Sequence, residues 1–327
     1  MTLPSQQTPL ERAVVRPAQE RPALVYLARL SDGSRRTMRG ALDGIARLLS
    51  DGCCDADSLD WAALRYQHTA AVRSALQSTV SPRTGAPLSV ATVNKLLAAL
   101  RGVLREAWRL GLLSAEDFHR AIDLPNVRGR ALPRGRALTT GEVRALLDAC
   151  VTDTTPSGAR DAAVIAVLYG TGLRRSELVA LNVDDYDAAE ASLTVRAGKG
   201  RKQRVVYMAV GGAAAVESWL RIRGDAPGAL FWATDRGGRP VHRRLSSHAV
   251  MFVLRRRALR AGVASFSAHD MRRTFISHLL DAGADIATAQ ALAGHASVTT
   301  TASYDRRGER TKQAAAALLN VPFTART

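Results

Sequence analysis

The sequence is poor in cysteine, in aromatic residues and in long apolar runs. Cys53, Cys54 and Cys150 are odd in number and lack the spacing of a metal site, so we expect reduced thiols and no metal centre. No apolar run reaches the about 18 residues of a membrane-spanning helix, and residues 1–20 contain no apolar signal segment. These absences argue against membrane-spanning and disulfide-rich secreted proteins and predict a cytoplasmic location.

Acidic residues are also scarce relative to basic ones. The chain has 327 residues with 46 Lys plus Arg against 29 Asp plus Glu, which gives a formal net charge of +17. A hydrophobic fraction of 46% is typical of a globular protein, here long enough for two domains. The excess is mostly arginine, which pairs with phosphates and releases counterions on binding, so nucleic acid is the expected partner. The alternative is a merely basic protein without such a partner.

The first part of the chain has the periodicity of a helical domain. Residues 1–20 are polar and contain proline, which is typical of a loose leader. In residues 21–124, apolar positions recur at helical spacing and are separated by breaks rich in glycine and proline. The predicted helices cover residues 34–50, 66–79 and 89–110. We therefore expect residues 21–124 to form an all-α domain.

The helix predicted over residues 34–50 has one apolar and one basic face. Its basic face carries Arg35, Arg36 and Arg39. A basic helix face is usually only solvated, but in a chain of this charge the three arginines are candidate DNA contacts.

A basic linker is predicted at residues 125–138. This stretch has helix-breaking residues and no apolar period, which is typical of an interdomain connection. It contains no acidic residue, and its four arginines are further candidate DNA contacts: Arg128, Arg130, Arg134 and Arg136. Thr139 and Glu142 then match a capping box, so a second domain begins with a helix at this point.

The second domain, residues 139–308, contains a glycine-rich turn followed by a charged pair. The turn places Arg174 in the first turn of the next helix, where free amides and the helix dipole favour an anion. Glu177 can pair with Arg174 and hold its guanidinium in place. Taken alone, the motif is equally typical of an ordinary connection between helices with a surface ion pair.

Two alternating, β-branched stretches at residues 192–197 and 204–209 predict an antiparallel hairpin. Glycines flank Lys199 at its tip, and Arg201 and Lys202 follow. Cations on a hairpin tip are most often solubilising, but glycines allow close backbone approach to a ligand. Lys199 is therefore predicted to reach a phosphate, and Arg201 and Lys202 are candidate DNA contacts.

The C-terminal part supplies histidines, an arginine and a tyrosine. His269 and Arg272 lie one helical turn apart and project from one face. His295 follows a glycine at the end of a helical pattern, and Tyr304 lies nine residues beyond it. His278 is surrounded by apolar residues, so we interpret it as a hydrogen-bonded core histidine.

Taken together, these elements resemble the tyrosine recombinase (integrase) family. The resemblance covers the chain from about residue 139 strongly and the helical half, as a core-binding domain, more weakly. It is closest to the simple Xer-type and mobile-element integrases. The matching residues, in chain order, are Arg174, Lys199, His269, Arg272, His295 and Tyr304.

Two departures from the family pattern stand out. Arg273 occupies the position where many members have a second histidine, and it is a candidate DNA contact. No separate arm-type DNA-binding domain precedes residue 20, which suggests a recombinase that acts on short core sites.

The chemistry of these residue types fits attack on a phosphodiester. The transition state gains negative charge, so Arg174 and Arg272 would clamp it and His295 would donate a third hydrogen bond. Tyr304 would be the nucleophile, His269 would take its proton and Lys199 would protonate the departing 5′ oxygen. The phosphotyrosine ester retains the bond energy, so we expect no ATP, metal or other cofactor. The acidic run at residues 184–187 is interpreted as solvated rather than as a two-metal site.

The resemblance implies a mainly α fold with a small antiparallel β hairpin or sheet (α+β). It further implies a helical core-binding domain and a catalytic domain that form a C-shaped clamp on DNA. The partners implied are double-stranded DNA with short inverted core sites, a second copy on one site, a homotetramer on two sites, and in some settings an accessory protein. Residues 309–327 would form a helix that docks on a neighbouring protomer, with packing in cis as the alternative.

The predicted function is site-specific recombination through a 3′-phosphotyrosine intermediate and a Holliday junction, for integration, excision or resolution. The implied location is the bacterial cytoplasm, in association with the nucleoid. One alternative is DNA relaxation like that of a type IB topoisomerase, against which the docking tail argues. The other is an inactive DNA-binding regulator on the same scaffold, against which the complete residue set argues.

Overall fold

The chain divides into two compact units, Met1–Pro133 and Arg134–Thr327. The computed structural model describes residues 17–82, 84–129, 135–196, 203–295, 297, 301–302 and 316. The division falls within the stretch predicted as a linker. Within the described ranges, none of the helices is long and apolar enough to cross a membrane. The elements are mostly helices with two small antiparallel sheets, so the predicted fold class is confirmed.

The first unit is helical wherever it has regular structure among the described residues. The elements are a 3₁₀ turn at Ala18–Glu20, α1 (Pro22–Ala28), α2 (Asp32–Leu49), a 3₁₀ turn at Trp61–Ala63, α3 (Tyr66–Ser78), α4 (Val90–Arg109) and α5 (Ala115–Ile122). The three predicted helices correspond to α2, α3 and α4. Ser89 caps α4, since its hydroxyl accepts a hydrogen bond from the amide of Thr92.

The apolar stripe of α2 packs into the core of the first unit. Leu42, Ile45 and Leu49 are buried, and they share this core with α4 residues such as Leu97 and Leu100. Burial of this stripe, rather than helix propensity alone, stabilises α2.

The second unit alternates helices with short strands. The elements are α6 (Thr140–Val151), α7 (Pro156–Thr171), α8 (Arg175–Ala180), a 3₁₀ turn at Val183–Asp185, β1 (Tyr186–Asp187), β2 (Ser192–Val195), β3 (Arg204–Tyr207), α9 (Val210–Arg223), β4 (Trp232–Thr234), β5 (Pro240–Arg244), α10 (Ser247–Arg260), α11 (Ala268–Asp281) and α12 (Ile286–Ala293). The predicted capping box is present: Glu142 N donates to Thr139 Oγ1 at 3.2 Å, and Thr139 N donates to Glu142 Oε2 at 2.9 Å.

The strands form two antiparallel sheets. β1, β2 and β3 pair in chain order, and Val195 lies opposite Arg204. This is the predicted hairpin, with a short third strand added. β4 and β5 form a second hairpin, which the sequence patterns do not predict. Most residues of β5 are exposed on both faces, so the strand lacks the alternation that marks a half-buried strand.

A buried ion network ties α10 to α7. The Asp161 carboxylate is fully buried and accepts hydrogen bonds from Arg160 and Arg257, at 2.7 and 2.8 Å, and from Arg256 at 2.6 Å. Arg257 is itself fully buried and also donates to Asp153 at 2.7 Å. Desolvating these charges is tolerable because each has several partners. The basic run of α10 is therefore partly structural.

The acidic run at residues 184–187 is not uniformly solvated, so that interpretation is wrong for one member. Asp185 is buried, forms an ion pair with Arg196 and accepts a hydrogen bond from the amide of Asn182 at 2.8 Å. Asp185 therefore stabilises the turn before β1.

Candidate active site

A cleft of about 280 Å³ in the second unit collects charged residues from α8 and α11. It is lined by Arg174, Arg175, Met251, Ser267, Ala268, His269 and Arg272. The fold thus brings Arg174 to the same opening as His269 and Arg272, which lie far from it in the sequence.

Arg174 is held at the entrance of α8. It is the N-cap residue, one position before the first helical turn in which we predicted it. Its Nη1 donates to Glu177 Oε1 at 2.8 Å, its backbone amide donates to Glu177 Oε2 at 2.9 Å, and its Nη2 donates to the carbonyl oxygen of Gly294 at 3.0 Å. The predicted pairing with Glu177 is present. It fixes the guanidinium in a defined orientation.

Glu177 is a buried carboxylate that stays charged. Its side chain is 2% exposed. Burial by itself would raise the pKa of Glu177, but hydrogen bonds from Arg204 and Arg174 outweigh this effect and hold the pKa below its usual value. The ionised carboxylate can therefore accept from both arginines at neutral pH.

Arg272 is fixed against the turn after α7. It is buried, and its Nη1 donates to the carbonyl oxygen of Gly172 at 2.7 Å. Gly172 has a φ of 62°, and an added Cβ would lie 2.3 Å from Phe275 Cδ1. Only glycine fits this position, so the predicted glycine turn also sets where Arg272 is anchored.

α11 carries His269 and Arg272 because its first turn is well capped. Ser267 is the N-cap, and its hydroxyl and the carboxylate of Asp270 form a capping box with the backbone amides. Asp270 also accepts a hydrogen bond from the backbone amide of Arg136 at 3.1 Å. These contacts hold the first turn of α11, in which His269 lies next to the cleft.

His295 follows the end of α12 at a left-handed glycine. Gly294 has a φ of 65°, and the half-buried His295 places its Nδ1 2.9 Å from Thr301 Oγ1. Desolvation, together with the charges of Arg272 and Arg174, lowers the pKa of His295 to about 4. A neutral imidazole at this position is a hydrogen-bond donor or acceptor rather than a fixed cation.

His269 is also tuned toward the neutral form. Desolvation lowers its pKa below the usual value, and the positive charges of Arg273 and Arg272 lower it further. A neutral imidazole is able to accept a proton, as expected of a general base.

Lowering the pH from 7 to 5 is expected to destabilise the second unit through these two histidines. Their pKa values are lower in the folded protein, so the unfolded chain binds more protons between about pH 6.5 and about pH 4. The free energy of unfolding therefore falls as the pH drops through this window. Thermal unfolding of the His295→Gln protein should show a smaller fall in melting temperature from pH 7 to pH 5 than the wild type.

The same two proteins provide the control above the window. Between pH 7 and pH 8 His295 is neutral in both the folded and the unfolded wild type. The melting temperatures of the wild type and of His295→Gln should therefore change by the same amount. An equal fall for both proteins between pH 7 and pH 5 would contradict the assignment.

Two residues of the site were missed by sequence reasoning. Arg204, at the start of β3, donates to Glu177 Oε2 at 2.9 Å. Thr301 is buried and contacts His295. Thr301 stands in a run of three threonines that look alike, and Arg204 opens a strand as many surface arginines do. Neither had a signal in the sequence.

His278, predicted to be a hydrogen-bonded core histidine, is partly buried in α11. Its Nδ1 lies 3.0 Å from the hydroxyl oxygen of Tyr169. This contact supports a structural role.

Several predicted residues lie outside the described part of the chain. They are the catalytic candidates Lys199 and Tyr304 and the DNA-contact candidates Arg130, Arg134, Arg201 and Lys202. Their roles remain predictions.

The other candidate DNA contacts differ in their exposure and in their partners within the protein. Arg36 and Arg128 are exposed. Within the protein, Arg35 donates to the carbonyl oxygens of Leu27 and Leu30, Arg39 pairs with Asp57, and Arg136 pairs with Glu142 and donates to the carbonyl oxygen of Ala264.

Arg273 is buried, at 4% exposed, like the neighbouring Arg272. A one-turn sequence motif does not reveal this burial. Its role as a DNA contact stays a prediction.

The sequence compares closely with one family of proteins. The model of the Phage integrase family matches residues 136–310. The tyrosine recombinase XerD of Mycobacterium leprae is 40% identical over 232 residues, which cover 67% of this chain and 70% of that protein. The tyrosine recombinase XerC of Alcanivorax borkumensis is 37% identical over 220 residues, covering 65% of this chain and 68% of that protein.

Solved structures share the fold at lower identity. The Tn1549 transposon integrase in complex with transposon right end DNA has a TM-score of 0.65 and 16% identity, covering 92% of this chain and all of that one. A lambda integrase dimer bound to a COC′ core site has a TM-score of 0.64 and 17% identity, covering 89% and 95% of the two chains.

Proposed function

This chain belongs to the phage integrase family of tyrosine recombinases, and from that premise we propose that the cleft between α8 and α11 binds the scissile phosphate of double-stranded DNA. The protein is a site-specific recombinase, an enzyme that transfers DNA strands. Its relatives are named as tyrosine recombinases, and solved structures of the same fold hold DNA. The proposal concerns which residues of this chain perform the reaction.

One observation carries the proposal. Two guanidinium groups, Arg174 and Arg272, and the imidazole of His269 converge on one cleft from separate parts of the chain. Arg174 donates a hydrogen bond to the carbonyl oxygen of Gly294, and Arg272 donates one to the carbonyl oxygen of Gly172. Preorganised cations of this kind stabilise the charge that develops on phosphate oxygens during attack. We call Arg174, Arg272 and His295 the phosphate clamp.

In the proposed reaction a bond forms between the Tyr304 hydroxyl oxygen and phosphorus, and the bond to the 5′ oxygen breaks. His269 takes the proton of Tyr304, and Lys199 gives a proton to the leaving oxygen. The product is a 3′-phosphotyrosine and a free 5′-hydroxyl. The reverse step on a partner strand rejoins the DNA and leads through a Holliday junction, with no input of ATP.

The domain roles follow the same proposal. Residues 21–124 would be the core-binding domain, residues 125–138 a basic linker and residues 139–308 the catalytic domain, and both domains would bind DNA. The partners proposed are short inverted core sites, a dimer on one site and a homotetramer on two. The lambda integrase dimer bound to a core site supports the proposed dimer on one site. The proposed location is the bacterial cytoplasm.

The test is a covalent trap. Sequencing the DNA that the Tyr304→Phe protein retains in cells identifies a site, and a duplex of that sequence is then nicked next to the scissile phosphate. After cleavage, the short fragment diffuses away, so wild-type protein should accumulate as a covalent adduct. Mass spectrometry of the DNA-linked peptide should place the phosphate on Tyr304. Absence of any adduct, with normal binding, would refute the proposal.

Removing residues 309–327 is expected to prevent tetramers on DNA while leaving binding to a single site. The segment contains the apolar sequence from Ala314 to Leu319, too short to form its own core, so it requires another surface. Native gel electrophoresis with one site and with two sites measures both steps. Removal of residues 321–327 alone is the control. Tetramers that survive the longer deletion would favour packing in cis.

A further inference from the structure

Arg204 joins three elements behind the cleft. It is the first residue of β3, and its side chain is 15% exposed. Its Nη2 and Nη1 donate to the two carboxylate oxygens of Glu177 at 2.9 and 3.3 Å, and its Nε donates to the carbonyl oxygen of Leu292 at 3.3 Å. Every guanidinium nitrogen thus donates inside the protein, so Arg204 is not arranged as a DNA contact.

The same guanidinium packs against the turn that leads into His295. A Cβ added to Gly294 would lie 2.9 Å from Cζ of Arg204. The carbonyl oxygen of Gly294 also accepts a hydrogen bond from Arg174. Gly294 therefore contacts both Arg174 and Arg204. The positions of these two arginines determine where the backbone places His295.

Glu177 links the two arginines electrostatically. Its buried carboxylate accepts hydrogen bonds from Arg174 and from Arg204, and these bonds fix both side chains. With Arg174 as its sole partner, the carboxylate would offset most of the positive charge that a phosphate requires. The second guanidinium compensates the carboxylate, so Arg174 keeps a net attraction for an anion in the cleft.

We propose that Arg204 is a positioning residue for DNA cleavage: it holds Glu177 and the Gly294 turn, and through them sets the geometry and charge of Arg174 and His295. The proposal rests on the function proposed above for the phosphate clamp. Arg204 also directly follows the hairpin tip that carries Lys199 in the sequence. It therefore connects the strand next to the proposed general acid with the residues that bind the phosphate.

The Arg204→Met protein tests this role, because methionine keeps much of the side-chain length and removes the charge. At saturating nicked duplex, its first-order cleavage constant should fall by about ten- to hundredfold, while its Kd for DNA changes by less than about threefold. Arg204→Lys restores the charge without the planar fork, so it should recover part of the rate. Rapid-quench cleavage and equilibrium binding measure the two quantities.

A second variant separates positioning from stability. Arg204→Met leaves the Glu177 carboxylate buried with one partner fewer, which lowers the melting temperature. Adding Glu177→Gln removes that charge, so the melting temperature should recover. Cleavage should stay as low as in Arg204→Met, because Arg174 has lost the carboxylate that orients it.

The matched control is Arg244→Met. Arg244, on β5, also donates hydrogen bonds to backbone carbonyl oxygens, those of Val179 and Leu181, but it does not contact Glu177. Its loss should lower the melting temperature and leave the cleavage constant of the folded protein unchanged. Arg204 is only structural if Arg204→Met cleaves like Arg244→Met. Failure of the wild type to form an adduct would instead refute the proposed function.

Discussion

The Tyr304→Phe protein is expected to bind its DNA site with unchanged affinity and to form no covalent adduct. Phenylalanine keeps the ring but removes the oxygen that would bond to phosphorus. Losing the nucleophile of a covalent mechanism costs roughly 10⁴- to 10⁶-fold in rate. Strand cleavage should therefore fall below detection, while contacts from the rest of the protein to the DNA backbone continue to supply the binding energy.

Denaturing gels of the nicked duplex measure the adduct, and footprinting measures binding. Tyr207→Phe is the matched control, because Tyr207 is a 60% exposed tyrosine of the same unit on β3. It should form the adduct at the wild-type rate. An adduct that persists with Tyr304→Phe would mean that another side chain attacks the phosphate. Footprinting by Tyr304→Phe, with no cleavage by the wild type, would favour the regulator alternative.

Replacing Arg174 or Arg272 with lysine is expected to lower the cleavage rate by about 10²- to 10³-fold each, although the charge is kept. Arg174 uses different nitrogens for Glu177 and for Gly294, and a single ammonium group cannot reproduce that geometry. Arg272 is only 3% exposed. An ammonium group is more strongly hydrated than the delocalised guanidinium, so burying a lysine at this position costs more free energy. The positive groups would then no longer match the transition state.

Single-turnover cleavage at saturating DNA measures this loss, with Arg221→Lys as the control on the exposed side of α9. The control should cleave like the wild type. Because the lysine variants retain the positive charge, their affinity for DNA should change far less than their rate. Cleavage by both lysine variants within about threefold of the wild type would show that charge alone suffices and that the fork geometry is not used.

The predicted catalytic residues illustrate how far sequence patterns reach. His269 and Arg272 were placed on one helix face by their spacing, and the cleft contains both. The capping boxes that begin α6 and α11, and the glycines that end α7 and α12, are local features that depend on a few neighbouring residues. Such features are set by local contacts, so the sequence predicts them correctly. The local elements that carry Arg174, Arg272 and His295 could therefore be anticipated.

Burial and long-range partners could not be anticipated in the same way. Arg273 follows Arg272 directly, and the tertiary packing of α11 buries both. Asp185 was expected in water and is held by Arg196. A charged residue gives no sign in the sequence of whether a partner from another element will compensate its burial.

The sequence by itself determined the family, the fold class and the order of the residues that we propose for cleavage, because these depend on local spacing and on short turns. Only the tertiary structure revealed how these residues are held. Glu177, Arg204 and Gly294 come from α8, β3 and the end of α12. Arg204 holds the Glu177 carboxylate, and Arg174 donates to that carboxylate and to the carbonyl oxygen of Gly294, which sets the direction of the Arg174 guanidinium. Those contacts exist only after distant segments have packed together, and hydrogen bonds of this kind act over about 3 Å, which no pattern along one chain specifies.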